Sequence, residues 1–134
     1  MDNWKKKLHV KSSLEAKDTQ FAMFIGRWQP LHLAHKVLFQ NALDEGKNVL
    51  ICIRDGQVND KNPFTAKEVL DNITTHYHSL IEKGKVKTMI IPDICSVEFG
   101  RGVGYDIIEH IPPTEIGDIS ATKIREEMRK NGKI

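Results

Sequence analysis

Phe21-Ala22-Met23-Phe24-Ile25 is an unbroken apolar run, and Gly26-Arg27-Trp28-Gln29-Pro30 follows it directly. An apolar run of this length ended by glycine reads as a strand buried on both faces, at about 21–26. Beyond Pro30, the residues Ala34, Val37, Leu38 and Ala42 recur at helical spacing, which predicts a helix at about 33–45 closed by Gly46. Strand, Gly/Pro turn and helix start, in that order, are the parts of a nucleotide-binding crevice in a parallel α/β sheet.

The turn delivers His32 and His35 to the helix start. Three residues apart, they share a helix face, and the free backbone N–H groups of the first turn favour negative charge at the same place. A polyphosphate suits such a position. Spacing alone is a weak signal, since a histidine at a helix start is more often a cap than a catalyst. The strand before it and the helix after it are what give the pair weight.

The rest of the chain continues the α/β pattern. Asn48-Val49-Leu50-Ile51-Cys52-Ile53 predicts a second strand and completes a βαβ unit, whose crossover is expected to be right-handed. After a polar loop from Asp55-Gly56 to Pro63, Thr65-Ala66-Lys67-Glu68 has the capping-box pattern. Ala66, Val69, Leu70, Ile73, Tyr77, Leu80 and Ile81 then keep one apolar face down to Gly84. A third strand is expected over 86–91, ended by Pro92. The loop 100–104 follows, then a fourth apolar run at 105–111 that suggests a strand, stopped by Pro112-Pro113. A last helix is expected over 120–129, with Ile124 and Met128 inward.

At 134 residues the chain is sized for one domain, which we place at 20–134, with residues 1–19 as an appended arm in which a short helix is allowed. Twenty basic against 18 acidic residues give a net charge of +2, too balanced to argue for nucleic-acid binding. Cys52 and Cys95 lie in apolar surroundings without a CxxC pairing, so both are expected as buried, reduced thiols. No run has the length to span a membrane and the N-terminal residues lack a signal-peptide pattern, which points to a cytoplasmic protein. His76-Tyr77-His78 does not suggest a metal site, because neighbours two apart on a helix face different ways.

Near the other end, Ser120-Ala121-Thr122-Lys123-Ile124-Arg125 repeats the chemistry of the first motif: a capping hydroxyl, a second hydroxyl, and an arginine one turn on. Phosphate is again the natural ligand. By itself the segment is as well explained by a helix cap and solvated charges, with Lys123 able to pair with Glu127.

Together the segments are more specific than either alone. With Asn62-Pro63-Phe64-Thr65-Ala66-Lys67-Glu68 between them, they make the chain resemble the nucleotidylyltransferase superfamily that shares an HxGH signature, closest to the archaeal-type nicotinamide-mononucleotide adenylyltransferases. The resemblance spans about 21–129. It implies a Rossmann-like parallel sheet with helices on both faces. The implied reaction is one in-line displacement, in which a phosphate of the acceptor attacks the α-phosphorus of a nucleoside triphosphate and pyrophosphate leaves, with Mg²⁺ offsetting the triphosphate charge. His32, His35 and Arg125 carry catalysis in this reading, the histidines at the α- and β-phosphates and Arg125, with Ser120 and Thr122, at the β- and γ-phosphates. Gly26, Arg27, Trp28, Gln29, Ser120, Ala121 and Thr122 line the nucleotide, and the protein supplies no metal ligands of its own.

Two departures stand out: Ala34 occupies the signature's glycine, and Glu68 is followed by Val69 where the family commonly has arginine. The partners implied are a nucleotide and a small phosphorylated acceptor, without nucleic acid or membrane, and a homo-oligomer is compatible with them. Two other readings stay open. One is a cytidylyltransferase acting on a polyol or choline phosphate, and the other is a nucleotide-binding module without turnover, motivated by Ala34.

Overall fold

The computed structural model describes residues 5–9, 20–101, 104–110 and 120–134. At its centre are three parallel strands: β3 (Asn48–Asp55) lies between β2 (Phe21–Gly26) and β4 (Val86–Pro92). As the middle strand, β3 has neighbours on both sides, and Val49, Ile51, Cys52 and Ile53 are fully buried. Here β1 is Lys5–His9, discussed below.

Side chains alternate along a strand, so Ala22 and Phe24 share a face with their register partners Val49 and Ile51, and with Val86 opposite Val49. Two helices cover that face. Phe39 of α1 (Leu33–Asp44) meets Phe24 edge-on at 5.1 Å, and on its other side meets Tyr77 at 5.9 Å, at the end of α2 (Ala66–His76). Two successive crossovers of the same hand along the order β2-β3-β4 put both helices on one side of the sheet, where their apolar stripes form one core with the strands. The opposite face stays open at Met23 and Met89, 58% and 46% exposed.

The elements expected within 21–92 are present, with one interruption. The helix foreseen down to Gly84 breaks at Tyr77, which ends α2 and begins a short α3 (His78–Glu82). Its N–H still bonds the Ile73 carbonyl at 2.9 Å and its carbonyl accepts from Ile81 at 2.9 Å, so the chain changes direction with little loss of backbone pairing. Burial of the Tyr77 phenol holds the bend in place and pushes its pKa up to about 12.

The later chain departs further from expectation. The fourth apolar run forms β5 (Ile107–His110), which pairs antiparallel with β1 in a separate two-stranded sheet and is not hydrogen-bonded to the parallel one. Over Lys5–His9 the backbone is therefore a strand, where the composition allowed a short helix. A strand forms where an edge is available to pair with, and this edge lies about a hundred residues away along the chain. The expected stop at Pro112-Pro113, residues 10–19 of the arm, and Gly102 and Val103 of the loop lie outside the described residues.

Cys52 is buried, as its place in β3 requires, but Cys95 is exposed. The expectation of two buried thiols fails at Cys95 because β4 ends at Pro92, leaving Cys95 in the irregular segment beyond the sheet. The last helix, α4 (Ala121–Lys130), is capped by Ser120, whose hydroxyl accepts from the Lys123 N–H at 3.1 Å. Ile124 and Met128 are half-buried, and the buried residue of this helix is Arg125. Among the described residues no helix is long and apolar enough to cross a membrane.

Candidate active site

The first motif is built on the glycine that ends β2. A Cβ on Gly26 would lie 2.9 Å from the indole of Trp28, so only glycine lets that ring fold back over the strand end. Trp28 holds a left-handed backbone (φ 52°), uncommon for a large side chain. Its ring is buried and its Nε1–H donates to the Cys52 carbonyl at 3.0 Å. Trp28 in turn packs edge-on against His35, ring centres 4.8 Å apart. Strand end, indole and histidine thus pack in succession, and the turn fixes where the imidazole sits.

His32 caps the N-terminus of α1, and the His35 ring stacks on it at 3.7 Å. The His32 backbone N–H donates to His35 Nδ1 at 3.2 Å. A nitrogen that accepts a hydrogen bond carries no proton, so the proton of neutral His35 resides on Nε2, which is its donor. Burial, and then the neighbouring His32, lower the His35 pKa from 6.5 to about 3. His32 is lowered too, by burial and then by Lys36, and its buried Nδ1 has no partner among the described residues. The two expected histidines therefore lie together as neutral rings at a helix N-terminus, beside the positive end of the helix dipole. Ala34, in the signature's glycine position, is the second residue of α1.

Gln29, expected to line the nucleotide, directs its side-chain amide to the middle segment. Its Nε2 donates to the Phe64 carbonyl and its Oε1 accepts from the Phe64 N–H, both at 2.9 Å. This two-bond latch holds the middle segment against the turn. Just beyond it Thr65 and Glu68 form the expected capping box, with Glu68 N–H to Thr65 Oγ1 at 3.1 Å and Thr65 N–H to Glu68 Oε1 at 3.0 Å. Val69 is buried in the core, so its position faces inward. The side chains of Trp28 and Gln29 are engaged in internal contacts that fix the shape of the turn.

Ser120, Ala121, Thr122 and Arg125 are brought to the same place. Arg125 Nη1 donates to the Gln29 carbonyl at 2.7 Å, and Nη2 reaches Thr122 Oγ1 at 3.3 Å. The last motif is thereby docked on the first across 96 residues of chain. Burial, with Arg129 second, lowers the Arg125 pKa below its usual value, and this guanidinium is first of all the clamp that holds α4 to the turn. Arg129 supports it by donating to the Asp60 carbonyl in the loop after β3.

Arg27, expected to line the nucleotide, lies partly exposed beside residues the sequence did not single out. Its Nη2 bonds both oxygens of Asp93 at 3.0 Å, and Arg54 bonds Asp93 Oδ1 at 2.8 Å. A charged residue near the carboxyl end of an apolar parallel strand, as Arg54 is on β3, is a legible sign of the ligand crevice. A depression lined by Gln40, Leu43, Gly46, Lys47, Leu80 and Lys85 sits at the amino ends of β3 and β4, away from every motif. Among the described residues no three His, Cys, Asp or Glu side chains converge as a metal site.

Residues 23–87 match the cytidylyltransferase-like family model. Over 50 residues, 36% of this chain and 27% of the relative, the sequence is 44% identical to the nicotinamide/nicotinic acid mononucleotide adenylyltransferase of Acinetobacter baylyi. Over 75 residues, 54% of this chain and 40% of the relative, it is 33% identical to the nicotinamide-nucleotide adenylyltransferase of Thermococcus sibiricus. The chain thus matches less than half the length of each of these relatives. The matched segment contains the end of β2, both histidines, the Phe64 latch and the capping box, so residues 23–87 are a cytidylyltransferase-like segment and the chain is similar to the nucleotidylyltransferases with an HxGH signature.

Proposed function

We propose that the protein is a nucleotidylyltransferase that moves AMP from ATP to a small phosphorylated acceptor. The observation that carries this reading is the convergence at one strand end: the stacked His32 and His35 at the start of α1, and Ser120, Thr122 and Arg125 docked on the Gln29 carbonyl. An oxygen of the acceptor phosphate attacks the α-phosphorus, the new P–O bond forms as the bond to the β-phosphate oxygen breaks, and pyrophosphate leaves with that electron pair. Catalysis of this kind is positioning and stabilisation of charge. Magnesium bound with the nucleotide would offset the triphosphate charge.

In this mechanism His35 Nε2–H and the α1 N-terminus stabilise the charge that grows on the α- and β-phosphate oxygens. His32, stacked on His35, keeps that ring in place and adds a second donor. Ser120 and Thr122 face the outer phosphates at the start of α4. The names of the two relatives favour ATP as donor and nicotinamide mononucleotide as acceptor. A cytidylyltransferase acting on a polyol or choline phosphate would use the same machinery and differ in the base and acceptor pockets.

The test is pyrophosphate release from ATP and CTP, each with nicotinamide mononucleotide, phosphopantetheine, glycerol phosphate and choline phosphate. Release with ATP and one acceptor supports the reading. Release only with CTP would replace the donor, and ATP binding without release on the whole panel would make the chain a binding module.

A further inference from the structure

Arg27, Arg54 and Asp93 stand just at the carboxyl ends of β2, β3 and β4, the edge where open parallel sheets bind ligands. Asp93 accepts from Nη2 of both arginines, and Arg54 Nη2 also donates to the Ile94 carbonyl at 2.8 Å. Two guanidiniums against one carboxylate leave one positive charge in excess. They also leave donors to spare: Arg54 Nε is buried and has no acceptor among the described residues. All three side chains reach solvent, at 26%, 30% and 46% exposure.

The floor under the cluster is shaped for it. A Cβ on Gly56 would lie 1.9 Å from Arg27 Nη1, so the guanidinium rests directly on glycine backbone. Planar forks that converge from two strands suit a ligand with several oxygens arranged in three dimensions. Asp93 offers them only two.

We propose that Arg27 and Arg54 form a subsite for a tetrahedral oxyanion, phosphate or sulfate, carried by the acceptor, and that Asp93 fills this subsite until the acceptor displaces it. The subsite rests on the transferase reading for its substrate, although not for its ability to bind an anion. Arg54 then determines which acceptors are used, and an acceptor without a tetrahedral anion at this edge is rejected.

Arginine side-chain NMR tests it, following the Nε–Hε signals of Arg27 and Arg54 during titration with inorganic phosphate and, separately, inorganic sulfate. Both signals should move together along one binding curve. Asp93→Asn should tighten binding roughly fivefold, the upper end of what one exposed ion pair is worth. Arg54→Gln should abolish the Arg27 response, and Arg54→Lys, which keeps the charge without the fork, should recover it only in part. Signals that do not move, or an Asp93→Asn protein that binds no more tightly, would overturn the subsite and leave an ordinary surface ion triad.

The transfer assay separates this inference from the reading beneath it. With an acceptor that supports pyrophosphate release, Arg54→Gln should raise the acceptor KM about tenfold or more, the scale of a lost charge-assisted contact, with the ATP KM unchanged. Release with an acceptor KM indifferent to Arg54→Gln would refute the subsite while the transferase reading stands. Anion binding at Arg27 and Arg54 in a protein that transfers nothing would uphold the subsite and refute the transferase.

Discussion

At the scale of residues, the site turns on a histidine that stays neutral. His35 protonates only near pH 3 in the folded protein but near 6.5 when unfolded, so between those values the unfolded chain binds a proton that the folded one refuses. His35 therefore makes stability rise with pH across that window and contributes no slope above it. Urea unfolding at several pH values should show a shallower slope for His35→Phe than for the wild type between pH 4 and 6, values inside that window. An unchanged slope would mean His35 titrates normally. Imidazole NMR should find Nε2 protonated and unchanging through neutral pH. His35→Ala should lower turnover by roughly a hundredfold or more with a smaller loss of nucleotide affinity, as for a donor that acts on transition-state charge. The sequence disclosed the pair, since spacing and the flanking strand are local. It did not disclose the protonation state, which depends on Trp28 packing against the ring and on a backbone N–H pinning Nδ1.

The elements of the site are held together by bonds between distant segments. Gln29 joins the turn after β2 to the start of α2, and Arg125 joins α4 to the same turn. Arg125→Ala leaves the buried Gln29 carbonyl without its charged donor, which should cost about 1.5–3 kcal/mol, the scale of a hydrogen bond to a charged group. Denaturant melts would show it, and loss of nucleotide binding with unchanged stability would instead place Arg125 directly on the phosphates. Thr65→Ala removes the cap of α2 and should cost about 0.5–2 kcal/mol by the same measurement. That cap was readable because Thr65 and Glu68 are neighbours in sequence. The Gln29 latch and the Arg125 clamp were not, because their partners are backbone carbonyls whose positions only the folded chain defines. Their internal bonds therefore add to the nucleotide roles expected of Arg125, Trp28 and Gln29 and leave those roles to the binding experiments.

For the whole molecule, the parallel core was legible and the periphery was not. Apolar runs in 21–92 needed only their own length and punctuation to give three strands and their crossover helices in order. The pairing of β1 with β5, and the exposure of Cys95, depend on which edge is free and where a strand stops, and neither leaves a local trace. The central claim is that this fold positions a triphosphate for transfer, and Ala34 is where the chain departs from the signature it otherwise resembles. Product formation tests the claim most directly: pyrophosphate and the adenylylated acceptor, measured together for the wild type, Ala34→Gly and His35→Ala across the donor and acceptor panel. The wild type should form both in equal amounts. Ala34→Gly should match or exceed it despite a cost of roughly 1 kcal/mol in helix stability, and His35→Ala should fall by roughly a hundredfold. ATP binding by all three proteins with no pyrophosphate from any of them would contradict the account.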